Sequence, residues 1–413
     1  MEFKEKIWAA LLLLLGLVSG EKGERCGFPA IYNFGDSNSD TGGRSAAIAQ
    51  VTAPHGETFF GKPSGRVCDG RLIIDFIGET LASFSIALSV HSSENKMIAK
   101  ESLFIFVINA QISDAAEDLA LPYLSAYLDS IGTNFRHGAN FATGGSSILP
   151  GGYSPFHLDL QISQFIQFKA RTSALYEQLS HNSTDPPCKN NLPRPQDFSN
   201  SLYTFDIGQN DLSHGFQYTN EAQVRLSLPS ILEKFSQAVN QLHTEGARFF
   251  WVHNTGPIGC LPYSIIYYQA KPRNLDENGC VEPQNVVARE FNRQLKDTVS
   301  KLREQLPNAA FTYVDMYSAK YTLISNASNQ GFEDPSKFCC GSYYGYHVDC
   351  GKKEVVNGTV YGNPCINPSR HISWDGIHYT QAANSVIARV ILSGALSDPP
   401  NSVADACHSP KSI

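Results

Sequence analysis

Short, nearly unbroken apolar runs at 30–34, 202–207, 248–253 and 310–316 alternate along this chain with stretches of helical period. Strands that are apolar on both faces must be covered on both, which calls for a mainly parallel sheet with crossover helices on either side. The clearest helical stretch places Val287, Phe291, Leu295, Val299, Leu302 and Leu306 on one stripe, with Arg289, Arg293, Lys296 and Asp297 off it. A second, over 224–242, has Leu228, Ile231, Phe235, Val239 and Leu242 as its apolar face. The fold class expected is therefore α/β. In such sheets ligands bind beyond the carboxyl ends of the strands, so the turns after the strands are where chemistry is sought.

The chain opens with Lys4, Glu5 and Lys6, continues with an apolar run over 7–18, and reaches Ser19 and Gly20 before Glu21. That is the pattern of a secretory signal peptide over residues 1–20. The run is short for a bilayer, and no later stretch of about 20 apolar residues follows it, so no stable membrane insertion is expected. All ten cysteines follow the leader, an even number entering an oxidising compartment, and disulfides of unspecified pairing are expected. Zinc at Cys339, Cys340, Cys350 and Cys365 is the weaker reading, because adjacent cysteines lack the spacer that brings two thiolates to one metal. Asn182, Asn326 and Asn357 each begin a glycosylation sequon, in keeping with a secreted, extracellular (cell wall or apoplast) or vacuolar destination. A formal charge of −7 with no dense Lys/Arg cluster argues against nucleic acid as a partner. With no repeat and no long linker, 21–413 reads as a single domain in which the Gly-, Tyr- and Cys-rich 335–367 is a stapled loop.

The first strand runs into Phe34-Gly35-Asp36-Ser37-Asn38-Ser39-Asp40-Thr41-Gly42. A serine on this turn would present its hydroxyl at the sheet edge, with backbone N–H groups aimed at developing negative charge. Alone, the segment reads more readily as an ordinary turn. Far along the chain, Ser373-Trp374-Asp375-Gly376-Ile377-His378 supplies what a serine lacks. An imidazole can take its proton, and a carboxylate three residues earlier can fix the tautomer. Gly208-Gln209-Asn210-Asp211 puts an amide at the end of another strand, and 138–146 offers glycines whose N–H groups a substrate can approach. Taken singly, these are an Asx-turn and a flexible loop. There is no phosphate loop and no His-Glu-x-x-His, so no metal, nucleotide or redox cofactor is expected, and His55, His253 and His347 read as core or surface residues.

Together and in this order, the four segments resemble the GDSL, or SGNH, hydrolase family, and in particular its plant esterase/lipase branch. The residue Asn38 after the serine, followed by Gly42-Gly43-Arg44, resembles the early-nodulin-like and latex-allergen-like subgroup. The resemblance implies a flavodoxin-like three-layer α/β/α sandwich on a five-stranded sheet. It implies Ser37 as nucleophile, His378 as base, Asp375 as its partner, and an oxyanion hole made by the Ser37 N–H, Gly145 and Asn210. The substrate implied is a small-molecule, lipid or carbohydrate ester. Acyl transfer to an alcohol would use the same residues, whereas a non-catalytic defence or carbohydrate-binding protein on this scaffold would be expected to carry a damaged segment. Some members of the subgroup carry the label fucosidase, but glycoside cleavage calls for a carboxylate pair, and these segments build an acyl-transfer site.

The chain departs from the plant pattern at 80–115, an atypical insertion carrying the apolar run Leu103-Phe104-Ile105-Phe106-Val107-Ile108. A substrate-facing lid and a translated intron are the two origins considered. Because an exposed apolar run is an aggregation liability, the second is preferred.

Overall fold

A computed structural model describes residues 26–91, 123–181, 186–267, 274–342 and 347–408, with backbone alone over 83–91. The four apolar runs form β1 (Ile31–Gly35), β3 (Leu202–Asp206), β4 (Phe249–His253) and β5 (Ala310–Val314). A three-residue strand, β2 (Gly138–Asn140), pairs with β1 on its outer side. The five lie parallel in the order β2-β1-β3-β4-β5. This is the flavodoxin-like order, and its direction reverses between β1 and β3. To the expected five strands the structure adds a sixth, β8 (Ser397–Asp398), antiparallel to β5. Two residues carry no periodicity, so this strand left no trace in the apolar pattern.

The helices fall into two groups that pack among themselves. Leu158–Ser180, Glu221–Thr244 and Glu282–Gln305 form one, and Ile73–His91, Met316–Ser325 and Gln381–Leu392 the other. Both amphipathic stripes face inward, with Leu228, Phe235 and Val239 buried on one helix and Val287, Phe291 and Val299 on the other. Phe34 stacks on Phe141 and Phe205 at centroid separations of 5.4 and 5.5 Å, so the aromatic core reaches up to the turn that carries Ser37.

Residues 80–91 of the expected insertion continue the helix Ile73–His91, with Leu81 in the core. The leader, 92–115 and Asn182 lie outside the described residues. Asn326 and Asn357 are exposed, the latter with φ 50° in the turn between β6 (Glu354–Val356) and β7 (Thr359–Tyr361). Among the described residues no helix is long and apolar enough to cross a membrane.

Eight cysteines form the disulfides Cys26–Cys407, Cys260–Cys280, Cys339–Cys365 and Cys340–Cys350. The last two replace the zinc reading of that group. Cys68, enclosed in the core, and Cys188, exposed, remain thiols, so the even count did not mean that every cysteine was bonded.

Candidate active site

The turn after β1 is fixed from beneath by buried amides. Asn33 donates to Asn140 Oδ1 at 2.7 Å and accepts from Thr204 Oγ1 at 2.7 Å, tying β1 to both neighbours. Gln161 grips Gly35 from both sides, accepting from its N–H at 2.9 Å and donating to its carbonyl at 2.8 Å. Gly35 has no room for a side chain, since a Cβ there would lie 2.7 Å from the Asp206 carbonyl oxygen. Buried amides with full sets of partners hold one geometry, because any displacement strands a polar group away from water.

Two carboxylates then join the turns to one another. Asp40 accepts the N–H groups of Gly42, Gly43 and Arg44 from its own turn, and that of Gly144 at 2.8 Å from the turn after β2. Burial raises the Asp40 carboxyl, and those four N–H groups oppose the rise. Asp211 accepts from Ile148 and Leu149 at 2.8 and 3.0 Å, tying the turn after β3 to the same segment. Gly145 sits between these tethers at φ 84°, a left-handed conformation that glycine adopts without strain. Neither its N–H nor that of Ser37 meets an acceptor among the described residues. Asn210 uses one amide hydrogen on the Ser146 carbonyl at 2.9 Å, which leaves the other for the cleft.

The last segment arrives from the other end of the chain on a tight turn. Trp374 N–H donates to the His378 carbonyl at 2.7 Å, and the Trp374 side chain is buried against Cys339 and Cys340. The paired disulfides at 339–365 and 340–350 thus hold this turn in place. His378 Nε2 lies 2.8 Å from Ser37 Oγ, and His378 Nδ1 lies 2.6 Å from Asp375 Oδ2. A carboxylate only accepts, so the proton sits on Nδ1 and Nε2 accepts from Ser37. Asp375 Oδ1 accepts the N–H groups of Ile377 and His378 at 3.0 and 2.8 Å. Burial alone would raise the Asp375 carboxyl, but the charge and hydrogen bonds of His378 outweigh it and hold the group below the usual carboxylate range.

Ser37, Asn210 and His378 line one open cleft, whose walls include Phe216, Leu261 and Tyr263. Of the residues foreseen, Ser37, Asp375, His378 and Asn210 meet here, and Gly145 is tethered beside them. The amides and carboxylates that set the turns were not foreseen. Asp40 and Asp211 stood in the segments already quoted, but nothing in a lone sequence distinguishes a bridging carboxylate from a solvated one.

Beneath Ser37 lies a second group that the sequence did not reveal. Asp36 is wholly buried, one oxygen accepting from Asn38 N and Nδ2, both at 2.9 Å, and the other without a partner. Burial, with Asp206 nearby, pushes the Asp36 carboxyl up to about 7, against those hydrogen bonds and the charge of buried Lys320. His253 lies 3.3 Å from Asp206 and accepts from Trp251 Nε1 at 2.9 Å, as befits a core histidine. His55 is also buried, and His347 is exposed and paired with Asp349 at 2.9 Å.

The raised Asp36 carboxyl has a definite sign in stability. From pH about 4 to about 7 the unfolded chain has lost this proton while the folded one keeps it, so its stabilising effect is full below that window and fades through it. Melting temperatures of the protein and of Asp36→Asn, measured from pH 4 to 8, should diverge across that window. The parent should lose ground as pH rises, and parallel curves would refute the raised value.

Among known proteins, the family model GDSL-like Lipase/Acylhydrolase matches residues 31–391. A GDSL esterase/lipase of Arabidopsis thaliana is 47% identical, over 97% of this chain and 95% of the relative. A Hevea brasiliensis protein named Esterase is 42% identical over 98% and 94% of the respective chains. An Arabidopsis thaliana protein named Alpha-L-fucosidase 3 is 44% identical over 93% and 95%. With the order of the strands and the segments on their carboxyl edge, these matches leave no doubt that the chain belongs to the GDSL-like lipase/acylhydrolase family, among its plant esterase/lipases.

Proposed function

We propose that this chain is a secreted serine esterase in which Ser37 is the nucleophile, His378 the base, and Asp375 the group that orients the base and stabilises its charged form. The observation that carries the reading is the unbroken relay from Ser37 Oγ through His378 to Asp375, with links of 2.8 and 2.6 Å. Ser37 Oγ attacks the ester carbonyl carbon as its proton passes to His378 Nε2. The tetrahedral oxyanion is met by the N–H groups of Ser37 and Gly145 and the free Asn210 amide hydrogen. Collapse expels the alcohol, which takes the proton from Nε2 and leaves an acyl group on Ser37. Water, deprotonated by His378, then attacks that acyl group, releasing the acid and restoring Ser37.

A glycosidase reading finds less support. Among the described residues Asp36 is the one carboxylate lining the cleft, and it is wholly buried, with one oxygen engaged by Asn38. Glycoside cleavage calls for two carboxyl groups facing each other across the bond. Secretion is supported by four disulfides, which persist in oxidising compartments, and by exposed sequon asparagines at 326 and 357. The Cys26–Cys407 bond, which joins the two ends of the described chain, supports reading it as one domain.

The direct test is covalent labelling with a fluorophosphonate, followed by peptide mass spectrometry. Modification confined to the peptide bearing Ser37 is the expected result, and a labelled site elsewhere would overturn the assignment. Asn210→Ala removes one oxyanion donor and should lower kcat on a short acyl ester by about 10² to 10³, with KM little altered. A fall in KM-linked binding alone would place Asn210 outside the oxyanion hole.

A further inference from the structure

One side chain in the cleft has no task in the cycle above. Gln284 lines the cleft and is 3% exposed, and neither its Oε1 nor its Nε2 has a hydrogen-bond partner. A buried primary amide with both ends unmet is costly, and proteins seldom retain one without use. Its position is firmly set. It stands in the first turn of the helix Glu282–Gln305, where the next residue, Asn285, accepts from Gly259 N at 2.8 Å and donates to Cys260 Sγ at 3.3 Å. Val281 N donates to the Gly259 carbonyl at 2.8 Å, and Cys260–Cys280 closes the same junction. The helix turn that carries the amide is therefore fixed at the cleft wall, near Ile258 and Leu261, by a staple and three hydrogen bonds.

The cleft wall includes Tyr263, and further aromatic side chains lie next to its lining residues. Tyr267 lies behind Tyr263 at a ring separation of 4.4 Å. On the Gly145 side Tyr153 is half exposed, its hydroxyl donating to Gln217 Oε1 at 2.7 Å and its ring edge-on to His214 at 5.2 Å. His214 carries the row on to Tyr218, which is 63% exposed. Tyrosine rings combine an apolar face with a polar tip, a surface that suits flat, hydroxylated rings better than a fatty chain. A polar group that enters the cleft and reaches Gln284 gains the hydrogen bonds that the amide lacks. Methylenes cannot do so, whereas a hydroxyl can both donate to Oε1 and accept from Nε2.

Resting on the serine-esterase reading, we propose that the cleft takes esters of polyhydroxylated alcohols, sugars in chemical type. Gln284 reads a hydroxyl from the wall while Tyr263 takes the face of the ring. The same amide favours such a ligand over a plain fatty acyl chain, which would leave it unmet.

The test measures kcat/KM for an acetylated xylo-oligosaccharide, p-nitrophenyl acetate and p-nitrophenyl octanoate, with the parent protein and Gln284→Leu. The parent should prefer the sugar ester to the octanoate. Gln284→Leu should lower the ratio of sugar ester to p-nitrophenyl acetate by about ten- to a hundredfold and raise that of octanoate to p-nitrophenyl acetate. Its melting temperature should equal or exceed the parent's, because leucine fills a similar volume and removes an unmet buried amide. In a Ser37→Ala background, calorimetry with the acetylated oligosaccharide should show the same ten- to hundredfold loss on adding Gln284→Leu. A parent that prefers the octanoate would overturn the proposal. So would a variant that slows all three esters equally while melting lower, the mark of a structural glutamine. Failure of the parent to hydrolyse p-nitrophenyl acetate would instead defeat the esterase reading, and the calorimetric arm would still decide the role of Gln284.

Discussion

Ser37→Ala should lower turnover of a short acyl ester by on the order of 10⁶, with the fold unchanged. The size follows from what remains. Without the hydroxyl there is no acyl-enzyme, and only the oxyanion donors and substrate placement persist, which together supply about 10³ to 10⁴ over the reaction in water. His378→Ala should cost nearly as much, and the double variant little more than either, because nucleophile and base act as a unit. Single-turnover assays of the three variants, with circular dichroism to establish folding, check this. Ser37→Ala retaining a tenth of the activity would remove Ser37 from the mechanism, and multiplicative losses in the double variant would mean that Ser37 and His378 work separately.

Asp375→Asn should have the second largest effect, a fall in kcat of about 10³ to 10⁴. The geometry gives the reason. One oxygen of Asp375 accepts two backbone N–H groups and the other accepts the proton on His378 Nδ1. An asparagine has one oxygen to offer. Turned toward the backbone donors, as their pairing demands, it presents its NH₂ to Nδ1. The imidazole must then carry its proton on Nε2, where it can no longer accept from Ser37. The loss should fall on kcat more than on KM, and ¹⁵N NMR of the His378 ring should show the proton moved from Nδ1 to Nε2. A variant within tenfold of the parent, its tautomer unchanged, would show that another group orients the ring.

Much of the fold was legible because it follows from burial. Strands β1, β3, β4 and β5 are buried on both faces and so left unbroken apolar runs, and the helix stripes turned inward as their period required. Strand β2 left none. Gly138-Ala139-Asn140 looks like loop, and it becomes a strand because Asn140 pairs with Asn33 across the sheet, a preference of the tertiary structure overriding local propensity. The site divides in the same way. Groups proposed to do chemistry were visible as types at strand ends, since few side chains can serve as nucleophile, base or amide donor. Groups that hold them were not. Asp40, Gln161 and Asp211 are ordinary residues until the chain brings distant N–H groups to them, and Gln284 is notable for the partners it lacks.

The bond between Cys26 and Cys407 spans 381 positions and makes nearly the whole folded chain a covalent ring. A linear protein cut once in a surface loop becomes two pieces that can drift apart. Here a single proteolytic cut anywhere between those cysteines leaves one molecule, with Ser37 and His378 still tied to each other on both sides of the break. Hydrolytic surroundings would have to cut this chain twice, with no inner disulfide tying the excised stretch to the rest, before any fragment could leave.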